Sequence, residues 1–398
     1  MFRIEMLPAA HGDCLWIEYG SGDQVHRILI DGGPAHTYPS LRERVLHLPA
    51  AQRHFDLLVI THIDADHIEG IIRLLQDAPT LNCTFDRIWF NGAPQLNQVP
   101  DPAGAPLGAM QGEILGLLIK AYEEQAGQSV WNKDMPDQIA YIPATAESLP
   151  AIDLPGDCRL TLLSPNHERL LELKDHWDDE LAKAGVDSGD AQALQFKLMN
   201  NKRLRPLGDV LGGDQDDEAS STIDDADLDW QPDDLLGATS SEPGGNAAFG
   251  SDTSLANGSS IALLLEYPKE HPTTRFLLSG DAWASVLKTS IDKLLPNTNK
   301  ALKLTGFKLP HHGSIANISP ELLQRLNCTH YLISTSGALF NHPHARAVEL
   351  LLEAHNARAK PRLHFNYMTD TTFPWADTED QKIRKYVAHH PEGISLLF

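Results

Sequence analysis

Apolar and polar positions change their period several times along this chain, and each change marks an element. Near the start, Ile4, Leu15 to Tyr19 and Arg27 to Ile30 read as β-rich runs, with turns at Gly20 to Asp23 and at Asp31-Gly32-Gly33. Ser40 to Leu48 carries apolar residues at helical spacing, and the short run Leu57-Leu58-Val59-Ile60 reads as a strand. A helix then follows from His67 to Leu75, with Ile68, Ile71, Ile72 and Leu75 on one face. Helical spacing recurs at Glu113 to Gln125 and over most of Asn166 to Leu198. Arg159 to Leu163 is a strand that ends in Ser164-Pro165. Strand patterns return at Ser260 to Glu266, Thr274 to Leu278, Leu302 to Leu309, Tyr331 to Ser334, Arg362 to Tyr367 and Ile394 to Phe398. Helical patterns at Trp283 to Leu295, Pro320 to Leu326 and Ala345 to His355 separate several of them. Strands gather toward both ends of the chain with helices between, which predicts an α/β fold of two sheets sandwiched between helices.

Composition supports a folded domain and adds one feature to the pattern. With 398 residues, 42% hydrophobic and 22% charged, the chain has enough apolar surface for a large core. The expected organisation is a single domain over residues 1–398. It carries helical insertions at about 92–150 and 166–205 and an acidic segment at 206–252. From Asp209 to Asp252 there are thirteen acids and no Lys or Arg, more than half of the net charge of −22. Gly, Ser and Asp dominate there, so the segment reads as a mobile acidic insertion. The overall charge opposes delocalised binding to phosphate backbones. Cys14, Cys83, Cys158 and Cys328 lie far apart and read as free thiols of a reducing compartment. No apolar run is long enough for a spanning helix, and the first residues lack a basic region followed by an apolar stretch. The expectation is a soluble, cytoplasmic protein without a membrane partner.

The chemistry concentrates in Thr61-His62-Ile63-Asp64-Ala65-Asp66-His67-Ile68-Glu69-Gly70, two imidazoles and two carboxylates within six positions after an apolar strand. A tight polar turn between strand and helix can converge alternate side chains on one point, and nitrogen and oxygen donors at this density suit a divalent transition metal. Without a cation, Asp64 and Asp66 would repel each other. Four further pieces follow in order: Asn257-Gly258-Ser259-Ser260-Ile261, Leu277-Leu278-Ser279-Gly280-Asp281, Leu309-Pro310-His311-His312-Gly313-Ser314 and Asn341-His342-Pro343-His344. Each is weak alone, since Gly-Asp is a common turn and a histidine pair usually belongs to core or surface. Together they put Asp and His groups at the ends of successive strands.

This ordered set, preceded by HGDCLWIEYG and ILIDGG, resembles the metallo-β-lactamase superfamily, and within it the metallo-β-lactamase-like domain of ComEC-type competence proteins. The matching motifs span residues 11–344 and cover about half of the chain, residues 80–255 matching poorly. The resemblance implies an αββα sandwich holding one or two divalent ions, Zn²⁺ or Mn²⁺. By matching motif, His62 and Asp64 would hold one ion and Asp66 and His67 the other, with Asp281 bridging and His311 completing the second site. Asp66 would also orient the attacking hydroxide, and His312, His342 and His344 would contact phosphate or protonate a leaving group. Two departures stand out. Asp64 occupies a position where the superfamily more often has His, a harder ligand that makes Mn²⁺ more suitable, and Ser164-Pro165 stands where many relatives supply another His. Asp31 and Asp13 are expected to fix ligand imidazoles by hydrogen bonding.

Three functions are open at this point. A metal-dependent hydrolase of phosphodiesters, a DNase in particular, follows from the HHGS and NHPH pieces, with nucleic acid or a small phosphodiester as partner. A hydrolase of a small ester, lactone or amide suits the same hydroxide, and the acidic surface favours it. A non-catalytic scaffold is opposed by the complete donor set.

Overall fold

A computed structural model describes residues 1–22, 24–99, 110–183, 251–296, 300–357, 359–390 and 395–398. Sixteen strands were assigned within these residues. The first seven are β1 Phe2–Met6, β2 Leu15–Ser21, β3 Gln24–Ile30, β4 His54–Phe55, β5 Leu57–Val59, β6 Thr84–Phe85 and β7 Ile88–Trp89. Then come β8 Ala151–Leu154, β9 Cys158–Ser164, β10 Ala262–Tyr267, β11 Thr274–Leu278 and β12 Leu302–Lys308. The last are β13 Leu326–Ile333, β14 Arg362–Phe365, β15 Val387–His389 and β16 Ser395–Leu397.

One sheet has the order β16-β1-β2-β3-β5-β7 and the other β15-β14-β13-β12-β11-β10-β9-β8, while β4 and β6 pair separately. Alternation along the strands explains how the two sheets meet. Phe2, Ile4, Met6, Leu15, Ile17, Ile28, Ile30, Leu57 and Val59 project from one face of the first sheet into a core shared with residues of the second, such as Leu160, Leu263 and Phe276. The opposite face presents Trp16, Leu29 and Leu58 to the helices Tyr38–Leu46, Ala65–Leu81 and Met110–Ala126 through Leu41, Ile68, Ile71, Ile72 and Leu115. Helices Ala284–Leu294 and Ala345–Ala354 supply Leu287, Ile291, Val348 and Leu351 to the core of the second sheet. Two sheets flanked by helices, as the apolar pattern predicts, therefore make the α/β sandwich. Full burial of each large apolar side chain stabilises it by about 1.5–3 kcal/mol.

The short strands β4, β6, β7, β8 and β15 and the helix Thr378–Arg384 are additions to the sequence expectation. The helix expected from Asn166 begins at His167 and is described to Lys183. The rest of that insertion, and the acidic segment up to residue 250, lie outside the described residues. Among the described residues no helix is long and apolar enough to cross a membrane.

Strand direction decides where the chemistry falls. Strands β3 and β5 are parallel, as are β11, β12 and β13, so the carboxyl ends of each group lie at one edge of its sheet. Asp31, Thr61-His62, Asp281, His311-His312 and Ser334 all follow those ends within a few residues. Ligand sites of open α/β sheets form outside the carboxyl ends of strands in the same way.

At the far margin of the second sheet, His330, His364 and His389 stack across β13, β14 and β15. Ring centroids are 5.2 and 5.0 Å apart and planes lie within 8° and 10°. His330 Nδ1 lies 3.0 Å from His364 Nε2, a hydrogen bond that requires one nitrogen to donate and the other to accept. Burial, aided by Arg362 and His389, lowers His330 to about 4; burial, aided by His330, His389 and Arg362, lowers His364 to about 3. Both depressed values lie below the ordinary unfolded value of about 6.5. The stability they contribute is therefore complete above about pH 6.5 and is lost as pH falls toward 4 and then 3. The unfolding temperature should drop between pH 7 and pH 5, and His364→Leu should flatten that drop. Parallel melting curves at the two pH values for both proteins check this, and equal slopes would count against it.

Candidate metal centre

The helix Ala65–Leu81 starts directly under the donor cluster because its backbone is pressed against the turn after β3. A Cβ on Gly70 would lie 2.0 Å from the Gly32 carbonyl oxygen, and one on Gly32 would lie 2.6 Å from the Ile71 nitrogen. Glycine at both positions permits this approach. Hydrogen bonds from Gly32 N to His67 O and from Gly70 N to Gly33 O, each 2.9 Å, lock it.

Three histidines turn the same nitrogen toward the centre. Thr61 donates its hydroxyl to Asp31 Oδ2 at 2.8 Å, which leaves its oxygen to accept from His62 Nδ1 at 2.9 Å. His67 Nδ1 donates to Asp31 Oδ2 at 2.8 Å, and His312 Nδ1 donates to the Ser334 carbonyl at 2.9 Å. Each imidazole thus turns its Nε2 inward, the arrangement a metal requires of its histidines. Asp13 Oδ1 lies 3.4 Å from His312 Nδ1.

Around the centre, His67 Nε2 is 3.3 Å from His312 Nε2, 3.4 Å from Asp281 Oδ2 and 3.9 Å from Asp66 Oδ2. His312 Nε2 is 3.5 Å from both Asp66 Oδ2 and Asp281 Oδ2. Tetrahedral ligands at 2.0–2.1 Å from zinc are separated by about 3.3–3.4 Å, so His67 Nε2, His312 Nε2 and Asp281 Oδ2 already have nearly that spacing, with Asp66 Oδ2 3.5–3.9 Å from the two nitrogens. Beside them, His62 Nε2 lies 3.5 Å from Asp64 Oδ2 and 4.0 Å from Asp281 Oδ2. Asp281 Oδ2 is thus common to both groups.

The chemistry of this donor set fits a cation. His62 Nε2, Asp64 Oδ1 and Asp281 Oδ1 are buried without a hydrogen-bond partner among the described residues. Burial raises Asp64, reinforced by Asp66 and partly opposed by His62. Burial also works against ionised Asp66 and Asp281, yet His67 and His312 hold both carboxyls well below the usual range. The imidazoles respond in the opposite sense. Burial disfavours their charge, but Asp281 and Asp66 push His67 well up, and Asp281 and Asp13 push His312 to about 9. Protons therefore balance the carboxylates here, and a divalent ion on the Nε2 lone pairs would displace them.

The site residues expected from sequence divide as follows. His62, Asp64, Asp66, His67 and Asp281 converge. His311 engages other groups through Nδ1, 3.0 Å from Asn317 Oδ1, 3.3 Å from Asn257 Nδ2 and 3.6 Å from Asp252 Oδ2, and although burial disfavours its charge, the nearby Asp281 carboxylate raises it. The imidazole that meets Asp66, His67 and Asp281 is His312, placed in the expectation on the substrate side. The turn Pro310–Gly313 explains the exchange, because His311 and His312 both adopt left-handed backbone, with φ of 46° and 54°, so the alternation of β12 does not continue through them. His342 is buried, with its ring 5.1 Å from His311 and 4.7 Å from His344. His344 occupies the N-cap position of the helix Ala345–Ala354 without bonding to it through its side chain, and its Nδ1 accepts the Ile315 N–H at 3.0 Å.

No protein-family model and no curated protein matches the chain. Among solved structures, a metallo-β-lactamase HARLDQ-motif mutant from Cronobacter sakazakii is similar over 40% of this chain, at 15% identity and a TM-score of 0.19. The similarity spans 46% of that chain, less than half of its length.

Two groups that sequence reasoning left without a role belong to the surroundings. Asp252, counted with the acidic segment, is tied to the site: its Oδ2 accepts from Asn317 Nδ2 at 2.7 Å and from Asn257 Nδ2 at 2.9 Å. Lys308 is fully buried and paired with Asp13. A charged residue sharing the strand parity of Leu302 and Leu304 was the available signal for Lys308. Asp252 has none beyond composition. A further group, His54, Asp56 and Asp86, lies near β4 and β6, but the Asp56 carboxylate is already taken by His26 Nδ1 and by the Arg27 N–H.

Proposed function

We propose that the protein is a metal-dependent hydrolase of the metallo-β-lactamase superfamily that cleaves phosphodiesters, with nucleic acid as the favoured substrate. The observation that carries the hydrolase reading is the convergence of three Nε2 atoms with Asp64, Asp66 and Asp281. His62, Asp64 and Asp281 would hold one ion and Asp66, His67, His312 and Asp281 the other. Zn²⁺ or Mn²⁺ bound there would supply Lewis acidity and an activated water. Asp31 and Ser334 keep the His67 and His312 imidazoles in the required tautomer, and Asp66 would orient the attacking water. His342 stands beside the cluster. Burial, with His311, His344 and His312, holds it well below the ordinary histidine range, so at neutral pH it is an uncharged N–H donor for a substrate oxygen.

The phosphodiester preference is supported by the HHGS and NHPH sequences. The net charge of −22 favours the second reading, a small ester, lactone or amide. Metal-loaded protein assayed on single-stranded DNA, duplex DNA, RNA, bis-p-nitrophenyl phosphate and a lactone panel separates them. Turnover confined to lactones would overturn the phosphodiester reading. His342→Ala should keep its metal content and lower kcat by about 10²–10³-fold, as expected when a donor to developing charge is removed. Unchanged kcat would take His342 out of the reaction.

A further inference from the structure

Resting on the metal-site reading above, we propose that Lys308 is a positioning residue that decides which oxygen of Asp281 faces the ions. Lys308 ends β12 and its side chain is 0% exposed. Buried lysine is rare and requires compensation, because an unpaired ammonium inside a protein costs several kcal/mol. Asp13, also buried, forms a salt bridge with it. The ammonium further donates to the Gly280 carbonyl at 3.5 Å and lies 4.0 Å from Asp281 Oδ1.

The two oxygens of Asp281 are thereby divided. Oδ2 faces His67, His312 and His62 Nε2 at 3.4, 3.5 and 4.0 Å, whereas Oδ1 faces Lys308 and has no hydrogen-bond partner among the described residues. Asp13, Asp281 and His312 also place ligand atoms within 4.8 Å of one another, close enough for a cation. The ammonium already neutralises Asp13 in that trio. Lys308 thus serves as a built-in cation that would withhold Asp13 from bound ions and leave Asp281 Oδ2 as the oxygen turned toward them.

Lys308 and Asp13 cancel in charge, so removing both leaves the net charge beside the ions unchanged, and Asp13→Asn alone controls for the loss of the contact between Asp13 and His312. In Asp13→Asn/Lys308→Met, Asp281 Oδ1 is released to compete for an ion. Titration of chelator-stripped protein with Mn²⁺ should show affinity for the second equivalent lowered by about 10–100-fold, the usual loss when an orienting group around a metal is removed. The electron paramagnetic resonance spectrum should change from that of a coupled ion pair to that of isolated ions. Wild-type affinity and a coupled spectrum in the double variant would overturn the inference. Should that variant fail to fold, a crystal structure of the Mn²⁺-loaded wild type decides. Oδ2 shared by both ions with Oδ1 toward Lys308 supports the inference, and Oδ1 on an ion refutes it. A wild type that binds no Mn²⁺ would defeat the metal-site reading as well, whereas a loaded wild type with an unchanged double variant defeats only the role of Lys308.

Discussion

His312→Ala is expected to lose one of the bound ions while His311→Ala keeps its full complement. His312 Nε2 stands 3.3–3.5 Å from His67, Asp66 and Asp281, so its removal deletes a quarter of a four-donor group. The affinity lost should exceed about 100-fold, the upper range for groups that orient ligands without binding the metal themselves. His311 instead engages Asn317, Asn257 and Asp252, and its loss should disturb the loop beside the site. Elemental analysis of both variants after dialysis against Mn²⁺ or Zn²⁺ reads the difference. Depleted His311→Ala beside fully loaded His312→Ala would reverse the assignment.

Asp281→Ala should have the largest effect on turnover. Its Oδ2 lies within 4.0 Å of all three inward nitrogens, so it would join the two groups and offset repulsion between two cations. Metal ions contribute several kcal/mol of charge stabilisation to hydrolysis, and about 1.4 kcal/mol corresponds to tenfold in rate. A fall of about 10³-fold or more in kcat/KM is expected, together with reduced metal content. Steady-state kinetics on a small phosphodiester checks it, and undiminished turnover would remove Asp281 from the reaction.

The reach of the sequence differs from residue to residue. The run Leu57 to Ile60 is legible because burial on both faces demands continuous apolar residues, and Leu302 to Leu309 because its buried apolar residues alternate with the exposed Lys303 and the half-buried Thr305. The dense cluster from His62 to His67 is legible because one turn supplies four donors, and Asp31 because it follows an apolar strand that ends at Ile30. β15 is not legible in this way: Val387–His389 is three residues long and half-buried, too short to establish an alternation. Choosing between His311 and His312 requires the backbone. Adjacent histidines carry the same local signal, and only the left-handed turn determines which ring swings inward. The partnership of Asp13 with Lys308 joins positions 295 residues apart and depends on how the two sheets meet. No local pattern encodes that contact.

The most direct test of a cation-binding centre is calorimetric titration of chelator-stripped wild-type protein with Mn²⁺ and with Zn²⁺, followed by elemental analysis of the product. Saturable uptake of up to two equivalents, accompanied by release of protons from the imidazoles, is the predicted result. Absence of uptake of either ion by folded protein would contradict it.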